Sequence, residues 1–462
     1  MSENNNYKSV MLVTCLSAAL VPLMGSALNL ALPYINEEFS LSATTSGWIA
    51  TSYMLSTAIF QIPCARLADI VGRQKVFIAG LMVFCLFSVL SGLAGSATTL
   101  ITYRALSGIG SAMIFSTNVA ILTSAVPAEK RGWALGINSA TVYFSLAAGP
   151  FIGGFVTQWV GWHGIFFLAA ALGVFALAGS FLYVKDDWHS EQSRKFDLVG
   201  SIIYAAGLFS LIYGFSNLPK LHGFLLLAAG IIILTLFVFY EKRQEFPVFN
   251  VKIFLGNRVF KHASISALIN YSATASISFM LSLYLQYVRG LTPMQAGSIL
   301  VGQSFVMAIV SLWAGRMSDR LEPRKMAAAG MLIVALGLIM LCFLTQTTSF
   351  WFIFAILAVI GFGFGIFSSP NMNIIMSSVS REQYGLASAT TGTMRQVGQA
   401  FSMGLAMMAI SIMVGNVPIT PAVHTQFIDS IRIAFIISSA LCLYGVYSSS
   451  VRNKKLSKAG NI

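Results

Sequence analysis

The chain has 462 residues, of which 56% are hydrophobic and only 9% charged, with a formal net charge of +13 and a mean hydropathy of +0.78. A soluble globular protein carries roughly a quarter charged residues, so this composition excludes a soluble domain and predicts an integral membrane protein. The excess of positive charge is explained below by membrane topology, and it does not indicate a nucleic-acid partner.

Fourteen apolar segments are long enough to cross about 30 Å of hydrocarbon, which takes roughly 20 helical residues. We therefore predict an all-α membrane protein with fourteen transmembrane helices. In chain order they cover residues 10–32, 46–66, 76–95, 99–122, 133–158, 164–184, 197–216, 222–240, 262–286, 294–315, 327–344, 350–376, 385–413 and 428–450.

An even number of spans places both termini on the same side of the membrane. That side carries 23 of the 28 basic residues, whereas Lys220, Arg289 and Arg432 lie on the other side. Because cytoplasmic loops are enriched in Lys and Arg, we predict a multi-pass protein of the cell membrane with both termini in the cytoplasm.

The first helix contains the stretch PLMGSALNLALPY, residues 22–34. Its polar or helix-bending residues are spaced three or four apart, and they share one helical face: Pro22, Gly25, Ser26, Asn29 and Pro33. A polar face within lipid needs a partner or a cavity, and this face carries no carboxylate.

Two loops of the predicted cytoplasmic side resemble each other. The loop after helix 2 reads ARLADIVGRQK and the loop after helix 10 reads GRMSDRLEPRK, with Asp69 and Asp319 at matching positions. This internal repeat predicts two six-helix halves separated by a pair of linker helices. We expect the domains to be residues 1–184, a linker with its connectors at 185–261, residues 262–450, and a basic tail at 451–462.

Two arginines fall within predicted helices. Arg104 shares a face of helix 4 with Gly108, Ser111 and Asn118, and Arg395 lies on a similar polar stripe of helix 13. A guanidinium inside a membrane is costly and needs a cavity or a partner, so Arg104 is predicted to contact substrate or a proton path, with a structural hydrogen-bonding hub as the alternative. For Arg395 a position near one membrane face is an equal alternative.

The predicted cavity has no fixed negative charge, because all fifteen acidic residues fall in loops or near helix ends. Such a cavity favours neutral or anionic amphiphiles over permanent cations. The residues predicted to line it are Asn29, Arg104, Asn118, Asn138, Asn270, Gln303, Asn371 and Arg395.

Several motifs resemble those of the major facilitator superfamily. The segment LADIVGRQ, residues 67–74, is similar to motif A, with Ala65 where that motif usually has Gly. The segment from Arg104 to Gly110 is similar to motif B, and the segment from Ser145 to Gly154 is similar to motif C of the antiporters. Residues 284–297 and 385–400 are similar to the fourteen-helix drug:proton antiporter branch, so the resemblance covers essentially the whole chain.

The resemblance implies the fold and two sets of working residues. It implies the major facilitator fold with helices arranged six, two and six. It implies a latch that holds the cytoplasmic gate shut, formed by Asp69, Gly72, Arg73, Asp319 and Arg320. The alternative is that the charged residues among them are ordinary solvated loop charges. The resemblance also implies close helix packing and a bend at the motif C residues Gly149, Pro150, Gly153 and Gly154.

The chain departs from the family in helix 1. Members of the family often carry an Asp nine residues before the Pro of an Asn-x-Ala-Leu-Pro stretch, and Asn29 and Pro33 match that stretch here, while Met24 occupies the Asp position. Proton coupling would then need another titratable group, a Glu or His near a helix end.

The resemblance therefore implies a secondary efflux transporter for amphipathic small molecules, working by alternating access with protons as the coupling ion. The alternative is an exporter of organic anions or lipid-like acids with weak or no proton coupling. We expect a monomer in contact with membrane lipids. No metal-ligand spacing, phosphate-binding loop or paired nucleophile and base occurs, so we expect no metal, cofactor or enzymatic activity.

Overall fold

The computed structural model describes residues 3–127, 130–184, 196–218, 220–245, 247–249, 251–318, 320–379, 384–415 and 417–450. In these ranges the first eight helices are α1 Glu3–Phe39, α2 Ala43–Val71, α3 Arg73–Gly92, α4 Ala97–Ala125, α5 Arg131–Val160, α6 His163–Tyr183, α7 Leu198–Ser216 and α8 Leu221–Glu241. The next eight are α9 Val251–Gly256, α10 Arg258–Thr274, α11 Ser276–Leu283, α12 Pro293–Met317, α13 Pro323–Leu341, α14 Phe350–Ser377, α15 Tyr384–Met413 and α16 His424–Ser449.

Fourteen helical segments of the described chain are long and apolar enough to span a membrane, which confirms the predicted number. One span, Arg258–Val288, is assembled from α10, α11 and the π-helical turn Tyr284–Val288. Most spans agree with the predicted bounds within about three residues, whereas the first, the second and the last extend several residues further, to Phe39, Val71 and Pro421.

Helix ends are fixed by local sequence signals. Ser42 caps α2 by accepting a hydrogen bond from the Thr45 backbone N–H, and Ser96 forms a reciprocal capping box with Thr99 at the start of α4. Gly72 separates α2 from α3 with a φ of 115°, a conformation that L-residues with a side chain rarely adopt.

The helices pack in two groups of six with a pair between them. In the first group α1 packs on α4, α5 and α6, and in the second α10 packs on α14, α15 and α16. The two groups meet where α5 packs on α12 and where α2 packs on α15. The arrangement of six, two and six helices is thus confirmed, whereas the exact domain bounds stay predictions.

The linker hairpin, α7 and α8, lies against the α2–α15 contact. The Tyr204 hydroxyl of α7 donates to the carbonyl of Ala58 in α2 at 3.2 Å, and the Phe215 ring of α7 stacks on Phe401 of α15 with centroids 4.5 Å apart. Helix α7 therefore contacts both groups of six helices.

The surface is apolar and much of the interior is polar. Trp159 and Trp351 are 69% and 81% exposed, and many Phe, Leu and Ile side chains lie on the outside, as expected of a surface that faces lipid. We call the bundle end at which α1 begins and α16 ends the terminal face, and the other end the opposite face.

Candidate functional site

The residues predicted from the sequence fall into five places: the loops after α2 and α12, the glycines of α5, the interior of the first group, the interior of the second group, and the interface between the groups.

At the junction of α2 and α3, Asp69 and Arg73 form an ion pair with 3.1 Å between Oδ1 and Nη2. Both side chains are partly exposed, at 35% and 28%, so the pair is screened by solvent and contributes little to stability. In the corresponding loop after α12, Arg320 is exposed and Asp319 lies outside the described residues. The role of these residues as a latch stays a prediction.

The glycines of α5 allow close backbone approach on two sides. Gly153 faces α1, where an added Cβ would lie 2.5 Å from the Ala27 Cα. Gly154 faces α12 of the second group, where an added Cβ would lie 2.5 Å from the carbonyl oxygen of Pro293. Gly297 of α12 faces back toward the Pro150 carbonyl. Adjacent glycines thus join α5 to its own group and to the other group.

The two groups are also joined at the end of α1 nearer the opposite face. Because Pro33 has no N–H, the Asn29 carbonyl lacks the donor that an α-helix normally supplies four residues later. The Ser282 hydroxyl of α11 donates to this carbonyl at 2.6 Å. Gln286 and Tyr287 donate in the same way to the carbonyls of Leu30 and Pro33.

These contacts close the two groups against each other toward the opposite face. The Pro33 of the Asn-x-Ala-Leu-Pro stretch therefore has an effect that reaches beyond its own helix. It leaves the Asn29 carbonyl unpaired within α1, and the other half of the molecule supplies the donor.

Arg104 is 1% exposed and lies inside the first group of helices. Its Nε donates to the carbonyl of Ile49 at 3.3 Å, and its guanidinium lies 4.1 Å from the centroid of the Tyr53 ring. Its Nη1 lies 3.6 Å from the sulfur of Met24. Met24 therefore occupies the position next to the arginine, and a thioether is at best a weak acceptor for a guanidinium donor.

The other predicted amides lie within one group or the other. The side-chain nitrogen of Asn138 donates to the side-chain oxygen of Asn118. The side-chain nitrogen of Asn118 in turn donates to the carbonyl of Thr14 in α1. In the second group, Asn270 donates to the sulfur of Met331, and Asn371 donates to a backbone carbonyl in α10. Asn29, Asn270 and Asn371 each have a buried side-chain oxygen without a partner in the described residues.

Gln303 of α12 is half-buried, and its backbone lies directly against Gly361 of α14. This contact lies between two helices of the second group. The predicted amides are therefore distributed through both groups and do not form one cluster.

Arg395 lies at the interface between the two groups. Its guanidinium is 4.9 Å from the centroid of the Phe115 ring of α4, and it lies beside the hydroxyls of Tyr143 and Tyr271. Tyr143 of α5 in turn hydrogen-bonds the hydroxyl of Ser368 in α14. We call these five residues the interface cluster.

The interface cluster lies near the middle of the bundle. Its members are between nine and thirteen residues from the ends of their helices at the terminal face. At 1.5 Å of rise per residue this places the cluster roughly 14–20 Å from that end of the helices. A cation, three hydroxyls and an aromatic ring therefore converge between the two halves near the middle of the bundle, with ring faces and donors suited to an amphipathic molecule.

Sequence reasoning found Arg395 but not the side chains around it. Tyr143, Tyr271 and Ser368 carry no motif, and aromatic residues make up 12% of the chain, so no pattern singled them out. The helical stripe that carries Arg395 was the available signal.

The family model described as Major Facilitator Superfamily matches residues 14–403. The riboflavin transporter RibZ of Clostridioides difficile (strain 630) is 27% identical over 397 residues, which cover 86% of each chain. The tetracenomycin C resistance and export protein of Streptomyces glaucescens is 26% identical over 419 residues, which cover 88% of this chain and 76% of that protein.

Multidrug resistance protein Stp of Mycobacterium tuberculosis (strain CDC 1551 / Oshkosh) is 28% identical over 408 residues, 87% of this chain and 75% of that protein. Among solved structures, a bacterial homolog to the human lysosomal transporter Spinster, in an inward-facing and unoccupied conformation, superposes with a TM-score of 0.69. The sequence identity is 17%, and 96% of each chain is covered.

Proposed function

This chain belongs to the major facilitator superfamily, and on that premise we propose that it is a transporter that exports amphipathic small molecules by alternating access. Two of its relatives are described by their names as a multidrug resistance protein and as a resistance and export protein. Another is described as a riboflavin transporter, so the direction and the substrate are our inference from the site.

The interface cluster is the observation that carries the proposal. It combines the guanidinium of Arg395, the ring of Phe115 and the hydroxyls of Tyr143, Tyr271 and Ser368, and it takes members from both halves. A substrate that binds there would contact both halves at once, and so it would affect the equilibrium between their two relative positions.

The contacts between the halves support a direction of access. They close the molecule toward the opposite face, through the carbonyls of Asn29, Leu30 and Pro33. We propose that the terminal face is cytoplasmic, because most basic residues lie in its loops and tails. The substrate would then enter from the cytoplasm and leave after the contacts at the opposite face separate.

A second candidate is the export of organic anions or lipid-like acids with weak or no proton coupling. It is favoured by the surroundings of Arg104, whose contacts are a carbonyl, an aromatic ring and the sulfur of Met24. Neither this site nor the interface cluster contains a carboxylate among the residues that the structure describes. A cation at the interface attracts an anionic group, and no buried acid beside it is available to exchange a proton.

Transport in proteoliposomes tests the proposal. A cationic dye and an anionic amphiphile are offered in turn, with and without an imposed proton gradient, while internal pH is followed. Gradient-driven movement with counterflow of protons supports proton-coupled export of amphiphiles. Movement of the anion alone, indifferent to the gradient, supports the second candidate. Failure of both compounds to move, with the protein correctly inserted and with several further amphiphiles, would refute the proposed function.

The variant Arg395→Gln distinguishes a substrate contact from a structural one. We expect it to lower transport of the anionic amphiphile by about 10-fold or more, since a hydrogen bond to a charged group contributes about 1.5–3 kcal/mol. The matched control is Arg432→Gln, because Arg432 is partly exposed at the opposite face and pairs with Asp429. Equal transport by wild type and Arg395→Gln would remove Arg395 from the site.

A further inference from the structure

Two carboxylates meet at the terminal-face end of the linker hairpin. Glu241, the last residue of α8, is 2% exposed, and Asp197 caps the start of α7. One oxygen of each is satisfied: Asp197 Oδ1 accepts from the Gly200 N–H at 2.8 Å and from the Tyr240 hydroxyl at 3.1 Å, and Glu241 Oε2 accepts from the Phe249 N–H at 3.4 Å.

The remaining oxygens, Asp197 Oδ2 and Glu241 Oε1, are buried and have no partner in the described residues. They point toward the same place, beside the Cα of Gly200. A Cβ added to Gly200 would lie 2.5 Å from the Asp197 oxygen and 2.6 Å from the Glu241 oxygen. A side chain at position 200 would therefore collide with both carboxylates, and the glycine leaves room for them to converge.

Two ionised carboxylates in this position would be unfavourable. Each would lose hydration without gaining a donor for its free oxygen, and the like charges would repel. A single proton removes both problems, because a protonated carboxyl donates a hydrogen bond and the other carboxylate accepts it. Pairs of carboxylates that share one proton are a general solution to this situation.

Among the residues that the structure describes, the groups that act on Glu241 include no positive charge. From α7 the charged group that acts on it is Asp197, and from the segment after α8 the contacts are the backbone N–H groups of Val248 and Phe249. On its own helix the neighbour is the Tyr240 hydroxyl. Arg66 lies one helical turn beyond Ile62 on the side of α2 that faces the linker, and it has a polar or charged interaction of its own.

We propose that Glu241 and Asp197 share one proton and form a proton-binding site that holds the segment between α8 and α10 against the linker hairpin. The attachment runs through the Phe249 N–H, which Glu241 binds, and through Val248, which is buried against α7 and α2. When the shared proton leaves, the two charges repel and this attachment weakens. The site does not depend on the proposed transport activity.

The site of Asp197 and Glu241 lies where the linker hairpin connects the two halves. Helix α7 packs on α2 of the first half and on α15 of the second, and the segment after α8 leads through α9 into α10 of the second half. The shared proton therefore stabilises the contact between the linker hairpin and the segment that precedes the second half at the terminal face. A rise of pH on that face would weaken this contact.

Hydrogen exchange of the full-length protein in lipid nanodiscs tests the proposal. Exchange of the Phe249 amide and of α9 is compared between about pH 5.5 and pH 8.5, after correction for the intrinsic pH dependence of exchange. In the wild type we expect protection to fall by about tenfold or more as pH rises, because each pH unit above the titration changes the protonated fraction tenfold. Glu241→Gln should remain protected throughout, since an amide donates without losing a proton.

The matched control is Glu245→Gln, four residues further along the same segment and exposed, which should follow the wild type. Asp197→Asn keeps a good helix cap but removes one acid, so it should also abolish the pH dependence. Protection that is independent of pH in the wild type, or pH dependence that persists in both Glu241→Gln and Asp197→Asn, would overturn the proposal. Protection restored at pH 8.5 by Na⁺ but not by K⁺ would overturn it in favour of a cation site.

Discussion

Replacing Gly154 by alanine should push the two halves apart at the opposite face. Gly154 of α5 faces α12 across the interface, and an added Cβ would lie 2.5 Å from the Pro293 carbonyl oxygen and 3.0 Å from the Met294 Cα. Both are backbone atoms, so no side-chain rotation can relieve the contact. The clash exists only while the halves are closed there, and it disappears when they separate.

The size of the effect follows from the contact. Inserting a methyl group into a close-packed contact costs about 1–3 kcal/mol. Since 1.4 kcal/mol is a factor of ten in an equilibrium constant, Gly154→Ala should shift the population away from the closed form by about 5- to 140-fold. Gly297→Ala, whose Cβ would meet the Pro150 carbonyl from the other side, should shift it in the same direction.

The assay is a distance measurement across the opposite face. Spin labels or fluorophores on Leu93→Cys and Phe343→Cys report the separation of the halves, because both residues are exposed in loops of that face, 67% and 71%. The five native cysteines are buried and will label slowly. We expect a short-distance population in the wild type that declines in Gly154→Ala.

Two controls in the same helix separate this effect from general destabilisation. Gly153→Ala would meet Ala27 of α1 within the same half, so it should lower thermal stability without changing the distance distribution. Gly136→Ala has no atom within 4 Å of the added Cβ, so it should change neither. A distance distribution in Gly154→Ala that matches Gly136→Ala would refute the reasoning.

Three further predictions concern single side chains. The Met24 sulfur lies 3.6 Å from Arg104 Nη1, and in Met24→Asp a carboxylate oxygen would lie the same number of bonds from Cα as that sulfur. The variant therefore gains a titratable acid beside the arginine, and transport should become dependent on the proton gradient, measured as proton counterflow. Arg104→Ala should abolish substrate transport while the protein still inserts in the membrane. Tyr287→Phe removes the hydrogen bond to the Pro33 carbonyl, worth about 0.5–1.5 kcal/mol, and should reduce the closed population about 2- to 10-fold in the distance assay.

Each of these three predictions would be contradicted by a specific result. Met24→Asn has nearly the shape of the aspartate without its charge, so proton counterflow in both variants would mean that the carboxylate is not the cause. Full transport by Arg104→Ala would make the arginine dispensable. An unchanged closed population in Tyr287→Phe would mean that this hydrogen bond forms equally well with water after opening.

The helices and the motif positions were predictable because their signals are local. A run of twenty apolar residues predicts a membrane span without any knowledge of its neighbours in space, and the motifs that contain Gly72 and the glycines of α5 can be recognised in the same way. The partners of these residues are not local. Whether Gly154 faces α1 or α12 depends on a rotation of one helical position, about 100°, which hydropathy does not resolve when all sides of a helix are apolar or small.

The two arginines illustrate the same limit. Both lie on polar helical stripes, and the sequence favoured Arg104 as the functional one. The structure places Arg104 inside one half and Arg395 between the halves, which is a tertiary property. The meeting of Asp197 and Glu241, 44 positions apart in the chain, was equally hidden, because each by itself looks like a solvated charge at a helix end.

The linker hairpin has a consequence for how a lipid-dissolved molecule could reach the interior. The halves meet along two seams, one between α2 and α15 and the other between α5 and α12, and α7 covers the first. The two helices of the second seam carry exposed aromatic side chains, among them Phe155 of α5 and Phe305 of α12 at 47% and 58% exposure. In the described residues neither linker helix packs on α5 or α12 as α7 packs on α2 and α15, so we expect a hydrophobic compound that diffuses in the bilayer to enter on the α5–α12 side.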